Sequence, residues 1–275
     1  MKQNLTLLTC ILLLLGCQNK EETPPPIQKP TPETYLTQHQ YQESAWAFRA
    51  QGDTTRADSV LTVLETVLKS QPDSLSEWAG KGITRPYIVF FPNNVWGLFK
   101  RAGSDTGGTV KNELASYRID RLLEIDLMTM VVLRDITLPN GKTVSGSLSY
   151  FIQDAKLADK LGLRTTDQPA KLIFFDAVLA NADRHTGNWM VHNKTGEVFA
   201  IDHNRTFYHD LGWTWWDRVQ SISDPMSINT YHNRFKNLPD KTFKDALKNL
   251  ITPEQYKNFH NARKTMIRYL DAKMK

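Results

Sequence analysis

Hydrophobic positions follow two different periods along this chain. Residues 87–151 hold short runs of Val, Ile, Leu and aromatic residues, separated by turn residues such as Pro-Asn-Asn at 92–94, and this pattern predicts strands and hairpins. Residues 35–79 and the C-terminal part of the chain instead place apolar side chains three or four positions apart, which predicts helices. The expected fold class is therefore α+β, with a small antiparallel sheet followed by a mainly helical region.

The same pattern gives the approximate limits of the elements. The expected strands are residues 87–91, 95–99, 128–133, 144–151, 189–192 and 197–201, and the expected helices include residues 110–124 and 172–180. Thr252-Pro253-Glu254-Gln255 is a capping box with proline at the first helical position, so the last helix should begin there.

The first seventeen residues have the pattern of an export signal. Lys2 precedes an apolar run from Leu5 to Leu15, which is short for a membrane span. The segment Leu14-Leu15-Gly16-Cys17 resembles a bacterial lipobox, which implies that Cys17 is lipidated and becomes the mature N-terminus. An uncleaved anchor is the alternative. Gln18 after the cysteine favours the outer membrane if the host is Gram-negative, so the expected location is the cell envelope.

The composition of the chain indicates a tether, a modest net charge and a folded part without disulfides. Residues 18–34 are polar and rich in proline, which predicts a tether rather than a folded element. The formal charge of +5 over 275 residues is modest, and no nucleic-acid-binding motif is present. Cys10 and Cys17 both precede the tether, so no disulfide is expected in the folded part.

Polar residues that suit phosphoryl transfer follow the apolar helix of residues 172–180. Asp183 precedes Asn188 by five positions, and Asp202 ends the second strand of the following hairpin. A kinase needs a carboxylate to orient the attacking hydroxyl and oxygen ligands for metal ions, and its catalytic loop uses this five-residue spacing. The order predicts Asp183 as the catalytic carboxylate, with Asn188 and Asp202 as metal ligands.

The motif Asn181-x-Asp183-Arg184-His185-x-x-Asn188, followed by Ile201-Asp202, resembles the atypical kinases. These include the HipA-type kinases, the phosphatidylinositol 3/4-kinases, and the secretory-pathway kinases of the Golgi casein kinase and four-jointed type. The resemblance implies a bilobal protein-kinase-like fold that binds ATP with Mg²⁺ or Mn²⁺. It also implies that Asn181, Arg184 and His185 support the loop.

The chain departs from the better-known members at two places. The secretory kinases usually have Glu where this chain has Asn188. Protein kinases have Phe-Gly after the metal-binding Asp, where this chain has His203-Asn204. Asn tolerates left-handed backbone conformations, so Asn204 is expected to take the place of the glycine.

Lys100 is the candidate for the lysine that contacts phosphate. It ends the second predicted strand, and Glu113 lies in the first turn of the next helix, where a kinase places the carboxylate that holds this lysine. No Gly-x-Gly-x-x-Gly precedes the strands, so Gly82 is the residue expected to approach phosphate. Gly103–Gly108 lacks the ending of a P-loop and is expected to be a linker.

The predicted organisation has four parts. They are a signal peptide at 1–16, a tether at 17–34, a helical segment at 35–79 and a kinase-like domain at 80–275, whose N-lobe covers about 80–150 and whose C-lobe covers about 151–275. The interlobe hinge is expected at residues 149–153. Packing against the kinase-like domain is the expected role of the helical segment, and binding of a partner is the alternative.

Three functions remain open at this point. The first is an exported, lipid-anchored kinase that transfers the γ-phosphoryl group of ATP to a hydroxyl, most simply on a protein, with a lipid or a small molecule as other acceptors. The second is an inactive kinase-fold lipoprotein that binds a partner or nucleotide. The third is a protein nucleotidyltransferase, which would use similar groups.

Overall fold

The computed structural model describes residues 31–38, 40–78, 85–103, 109–207 and 213–275. The predicted signal peptide, Cys17 and Gly82 lie outside the described residues, as does most of the predicted tether and of the Gly103–Gly108 linker. Within the described ranges, every helix is too short or too polar to cross a lipid bilayer.

Three helices precede the sheet. They are α1 (Pro32–Thr37), α2 (Tyr41–Ala50) and α3 (Thr54–Lys69). The Thr31 hydroxyl accepts a hydrogen bond from the Thr34 backbone N–H at 3.2 Å, and Pro32 occupies the first turn. This is a regular helix start, so α1 begins within the residues assigned above to the tether. Asp53 caps α3 by accepting from the Arg56 backbone N–H at 3.0 Å.

The N-lobe is built on a five-stranded antiparallel sheet with the order β1-β2-β3-β5-β4. The strands are β1 (Ser74–Glu77), β2 (Tyr87–Phe91), β3 (Val95–Arg101), β4 (Val131–Thr137) and β5 (Thr143–Tyr150). Strand β1 lies before residue 80, where the sequence placed the start of this lobe. Strand β1 lies at the edge of the sheet and buries little of its surface. Its sequence Ser-Leu-Ser-Glu accordingly contains a single apolar residue.

The predicted hairpin between residues 87–91 and 95–99 is present as the antiparallel pair β2–β3, with its turn at residues 92–94. Asn93 and Asn94 have φ values of 62° and 57°, in the left-handed region that Asn tolerates. Helix α4 (Val110–Leu123) follows β3, and Glu124 ends it with φ 53°. Strand β4 begins three residues later than expected. Met128, where the strand was expected to begin, pairs with Ala200 of the other lobe instead of with a strand of this sheet.

The two faces of the N-lobe sheet have different neighbours. Side chains alternate between the faces along each strand, so Tyr150 and Arg134 share the face opposite to Lys100. The Tyr150 hydroxyl contacts α2, and an Arg134 N–H donates to the Ser70 carbonyl at the end of α3 at 2.8 Å. Helices α2 and α3 therefore cover one face, and Lys100 projects from the other.

The chain leaves the N-lobe sheet at Tyr150 and enters a second sheet at residue 155. This sheet has the order β6-β7-β8, formed by β6 (Ala155–Leu157), β7 (Trp189–His192) and β8 (Val198–Ala200). Residues 151–154 thus connect the two sheets; the hinge expected at residues 149–153 overlaps this segment, but its first two residues belong to β5. The predicted limits of β7 are confirmed, and β8 is shorter by one residue at each end than expected.

The rest of the C-lobe is helical. Its helices are α5 (Ala170–Val178), α6 (Trp213–Gln220), α7 (Asn229–Asn237), α8 (Asp240–Leu247) and α9 (Pro253–Lys273). Both bonds of the predicted capping box of α9 are present, at 2.8 Å and 3.1 Å. The buried Trp215 indole donates to the Ala177 carbonyl of α5 at 2.8 Å, so this tryptophan belongs to the core.

Candidate active site

A buried lysine and two carboxylates lie between the lobes. The Nζ atom of Lys100 on β3 is 2.6 Å from Oε1 of Glu113 on α4, and 2.9 Å from Oδ1 of Asp202 after β8. The Lys100 and Glu113 side chains are buried, whereas 32% of the Asp202 side chain is exposed. The structure therefore brings together three candidate residues from three separate elements, spaced over 102 positions of sequence.

Electrostatics keep Lys100 charged. Burial alone would lower the pKa of the Lys100 ammonium, but the carboxylates of Glu113 and Asp202 outweigh this effect and raise the pKa above its usual value. Lys100 thus stays protonated throughout the physiological range. A buried ammonium held by two carboxylates, one of them partly exposed, is well suited to receive phosphate oxygens.

The loop that carries Asp183 is held by two asparagines. The Asn181 side-chain oxygen accepts from the Asp183 backbone N–H at 3.0 Å. The Asn188 amide NH₂ donates to the Asp183 carbonyl at 2.8 Å, and this contact uses the donor side of the amide. One third of the Asp183 side chain is exposed, and its nearest cationic neighbour is Arg205 at 3.9 Å. The carboxylate is accessible while its backbone is fixed.

Arg184 joins the loop of Asp183 to the segment after β8 that carries Asp202. Its guanidinium forms two bonds with the Asp176 carboxylate of α5, at 2.8 Å and 3.1 Å, and both side chains are fully buried. It also donates to the carbonyls of Ile201, at 2.9 Å, and of Asn188. Bidentate Arg–carboxylate pairs fix geometry as well as charge, so Arg184 sets the spacing between the two halves of the site.

His203 completes this buried network as a neutral ring. An Arg184 N–H lies 2.8 Å from the His203 Nε2 atom. A guanidinium only donates hydrogen bonds, so Nε2 must be the accepting, unprotonated nitrogen. Burial, and then the charges of Arg184 and Lys100, hold the pKa of His203 well below its ordinary value. Protonation of this ring would remove an acceptor from Arg184.

The backbone after β8 turns sharply at the acidic residue itself. Asp202 has φ 60°, in the left-handed region, whereas Asn204 does not have a positive φ. The expectation that Asn204 takes the place of a glycine is therefore wrong, because the left-handed turn comes two residues earlier. Asn204 instead presents its carbonyl to Asn112 of α4, whose amide donates to it at 3.0 Å and to the Thr206 carbonyl at 2.9 Å.

The oxygen atoms of Asn188 and Asp202 suit a hard divalent cation. Mg²⁺ and Mn²⁺ prefer carboxylate and carbonyl oxygens. Because the Asn188 NH₂ group is already bonded to the loop, the oxygen of that amide is the atom left for a ligand. Among the described residues, no group of three or more His, Cys, Asp or Glu forms a metal cluster by itself. The donor set therefore fits a cation that also draws ligands from a bound phosphate.

The other predicted residues have local roles. His185 lies at the start of the short turn Thr186–Asn188, and its Nδ1 atom accepts from the Gly187 backbone N–H at 3.0 Å. Sequence reasoning missed Asp176, the only charged residue in the apolar run Phe174–Ala180, and that isolation was the available signal. It also missed Asn112, which sits on the helical turn of Glu113 and gives no such signal.

Part of this chain is similar to a plant protein. The chain is 28% identical to phosphatidylinositol 4-kinase gamma 3 of Arabidopsis thaliana over 172 residues, an alignment that covers 50% of this chain. The chain spans 29% of the length of that relative.

Solved structures share the fold at low sequence identity. The Golgi casein kinase superposes with a TM-score of 0.57 at 13% identity, covering 78% of this chain and 74% of its own. The Fam20 protein of hydra gives a TM-score of 0.56 at 13% identity, covering 78% of this chain and 90% of its own. These values establish an atypical protein-kinase-like fold.

The sequence profile of the phosphatidylinositol 3- and 4-kinase family matches residues 113–272, from Glu113 on α4 to the end of α9. This region is more than half of the chain and contains the Asp183 loop, the β7–β8 hairpin and Asp202. The chain belongs to the phosphatidylinositol 3- and 4-kinase family.

Proposed function

We propose that this protein is an exported, lipid-anchored kinase that transfers the γ-phosphoryl group of ATP to a hydroxyl acceptor. The observation that carries the proposal is the pairing of the Lys100 ammonium with the carboxylates of Glu113, at 2.6 Å, and of Asp202, at 2.9 Å, next to the loop of Asp183. Phosphoryl transfer depends almost entirely on positioning and on electrostatic stabilisation. These are the two properties that this arrangement supplies.

Each residue has a defined part in the transfer. Lys100 neutralises oxygens of the ATP phosphates, and Glu113 keeps its ammonium in place. Asn188 and Asp202 would hold Mg²⁺ or Mn²⁺, which when bound neutralises charge on the β- and γ-phosphates. Asp183 accepts a hydrogen bond from the acceptor hydroxyl and orients it. The bond from the acceptor oxygen to γ-phosphorus forms as the bond to the β-phosphate oxygen breaks, the hydroxyl proton passes to the Asp183 carboxylate and from there to solvent, and ADP leaves.

Protein is the acceptor that we propose first. A second candidate is the inositol hydroxyl of phosphatidylinositol, which the family match and the name of the Arabidopsis relative favour. Both acceptors present a hydroxyl to Asp183, and one third of that side chain is exposed. Attachment of a lipid at Cys17, with the proline-rich residues 18–34 as a tether, would keep the active site near either acceptor at a bacterial envelope.

A labelling experiment tests the proposal. The full chain is purified in detergent and incubated with Mn²⁺ and ATP labelled on either the α- or the γ-phosphate. Envelope proteins are supplied in one arm and phosphatidylinositol vesicles in the other. We expect label to be transferred only from the γ-position. In Asp183→Ala the rate of this transfer should fall by at least about 100-fold, because the variant no longer orients the hydroxyl. Asp159→Ala, which removes an exposed carboxylate of the C-lobe surface, is the matched control.

The outcomes separate the open functions. Transfer from the α-phosphate would identify a nucleotidyltransferase. Tight nucleotide binding with no transfer to any acceptor would identify a binding module and contradict the proposal. Label in only one of the two acceptor arms decides between protein and lipid. Metabolic labelling with a fatty acid, compared between the natural chain and Cys17→Ser, tests the anchor separately.

A further inference from the structure

Helix α2 lies behind the connection between the lobes and carries buried polar side chains on the surface that faces them. Gln42 is 1% exposed, Glu43 is 4% exposed and Trp46 is 8% exposed. Residues three and four positions apart share one side of a helix, so Gln42 and Glu43 lie beside Trp46. Burying an amide or a carboxyl group costs free energy unless the group is hydrogen-bonded. The hydrogen-bond partners of Gln42 and Glu43 therefore identify the part of the protein that this surface of α2 contacts.

The partners of the two polar side chains belong to the N-lobe at its junction with the hinge. The Gln42 oxygen accepts from the Met130 backbone N–H at 2.9 Å. The Tyr150 hydroxyl, at the last position of β5, donates to Glu43 at 3.1 Å. Met130 and Tyr150 are themselves joined, since the Tyr150 N–H donates to the Met130 carbonyl at 2.8 Å. Helix α2 is therefore bonded to the residues from which the hinge begins.

The third side chain reaches the C-lobe. The Trp46 ring packs against Phe199 of β8, with centroids 6.1 Å apart, and Phe199 is 1% exposed. Phe199 precedes Asp202 by three residues. The next residue, Ala200, donates its backbone N–H to the Leu127 carbonyl at 2.7 Å, in the segment that leads to Met130. One surface of α2 thus touches the end of β5 and the strand that delivers Asp202.

We propose that α2 is an interlobe brace, in which Gln42 and Glu43 hold the N-lobe while Trp46 holds β8, so that Lys100 stays at a fixed distance from Asp202 and the Asp183 loop. Trp46 and Glu43 are then positioning residues, since neither reaches the reacting atoms. The effect on turnover rests on the proposed kinase function, whereas the effect on the lobes does not. A displacement of about 1 Å in a catalytic group can cost on the order of 100-fold in rate.

The test compares two aromatic residues of the same helix. Trp46→Ala removes the contact with β8. Phe48→Ala removes a ring of α2 that is buried at least as deeply as Trp46 and whose centroid lies 4.3 Å from the Arg56 guanidinium of α3. Hydrogen exchange of the full chain is followed at the amides of Ala200 and Phe151, well below the unfolding temperature. The rate of phosphoryl transfer is measured with varied ATP.

We expect Trp46→Ala to raise exchange at Ala200 and Phe151 by about tenfold or more over Phe48→Ala. We also expect it to lower kcat by about tenfold or more with less than a threefold change in KM for ATP. Trp46→Phe should restore both. If Trp46→Ala does not fold, Phe199→Leu removes the same aromatic contact from the β8 side and gives the same readouts.

Two results would overturn the brace. One is exchange in Trp46→Ala, or in its substitute Phe199→Leu, within about twofold of the Phe48→Ala control. The other is faster exchange with an unchanged kcat, which would leave the contact without a positioning role. If the natural chain transfers no phosphate at all, the proposed function fails, and the exchange data alone then decide whether α2 braces the lobes.

Discussion

Glu43 is an acid placed where its charge is costly, and this makes the stability of the fold depend on pH. Burial raises the pKa of Glu43 from 4.5 to about 7. Hydrogen bonds from its own backbone N–H and from Tyr150 act in the opposite direction, and the charges of Asp154 and Glu197 add to the increase. We predict that Glu43→Gln stabilises the protein, and that the gain is larger at pH 8 than at pH 5.

The sign follows from proton linkage. The folded state binds the Glu43 proton more tightly than the unfolded chain does, so stability falls as the pH rises from 4.5 towards 7 and the loss is complete above that range. A difference of 7 against 4.5 corresponds to about 3 kcal/mol at pH 8, and to only about 1 kcal/mol at pH 5. Glutamine resembles the protonated acid, because it can accept from Tyr150 and carries no charge.

Thermal unfolding at the two pH values measures this difference. For a chain of this size, about 1 kcal/mol shifts Tm by about 2–4 °C. Glu43→Gln should therefore raise Tm by about 6–12 °C at pH 8 and by about 2–4 °C at pH 5. Glu65→Gln is the control, since Glu65 lies on the exposed side of α3 in a surface pair with Lys69, and its effect should stay within about 1 kcal/mol at both pH values. An equal Tm shift for Glu43→Gln at pH 5 and pH 8 would refute the reasoning.

Three further predictions concern the site itself. Lys100→Met should lower kcat/KM for ATP by about 100-fold or more, since it removes the ammonium that two carboxylates hold, and steady-state kinetics measure this; a loss below about threefold would contradict that role. Asp176→Ala should cost about 3–5 kcal/mol of stability, because it leaves the buried Arg184 charge without its partner, and a Tm within about 3 °C of the natural chain would contradict the pair. Asn188→Ala should raise the Mn²⁺ concentration for half-maximal activity by about tenfold or more, and should also lower Tm by about 2–4 °C because the bond to the Asp183 carbonyl is lost. An unchanged metal titration would exclude Asn188 as a ligand.

Local sequence carried most of the information about the catalytic loop. Asp183, Asn188 and Asp202 lie within twenty residues, and a turn between two short strands fixes the distance from one to the next. The limits of β7 and the capping box of α9 were predictable for the same reason, because each depends on a few neighbouring residues. The roles of Lys100 and Glu113 could be predicted from the order of the elements alone, a strand followed by a helix.

The hydrophobic pattern of the sequence does not predict contacts between residues that are far apart in the chain. The periodicity of residues 35–79 predicts helices but does not state which surface they cover, and the polar residues Gln42 and Glu43 look like solvent-exposed positions until their partners in the N-lobe are known. Asp176 is similar, since its partner Arg184 is eight residues away and joins it only through the fold. The left-handed turn at Asp202 follows directly after Ile201, whose carbonyl accepts from the distant Arg184, and a residue-type preference misplaced that turn at Asn204.

Helix α4, which carries Glu113, is attached to the C-lobe as well as to the sheet. An Arg118 N–H donates to the Ala246 carbonyl of α8 at 2.9 Å, and the Asn112 amide donates to the carbonyls of Asn204 and Thr206 at 3.0 Å and 2.9 Å. Any rotation of α4 that separates Glu113 from Lys100 must break these bonds, two of them buried, at a cost of about 2–5 kcal/mol. The displaced state would then hold no more than a few per cent of the molecules. The Lys100–Glu113 ion pair is therefore formed by the fold itself. A binding partner that regulated this protein by moving α4 would have to supply at least the free energy of the broken bonds.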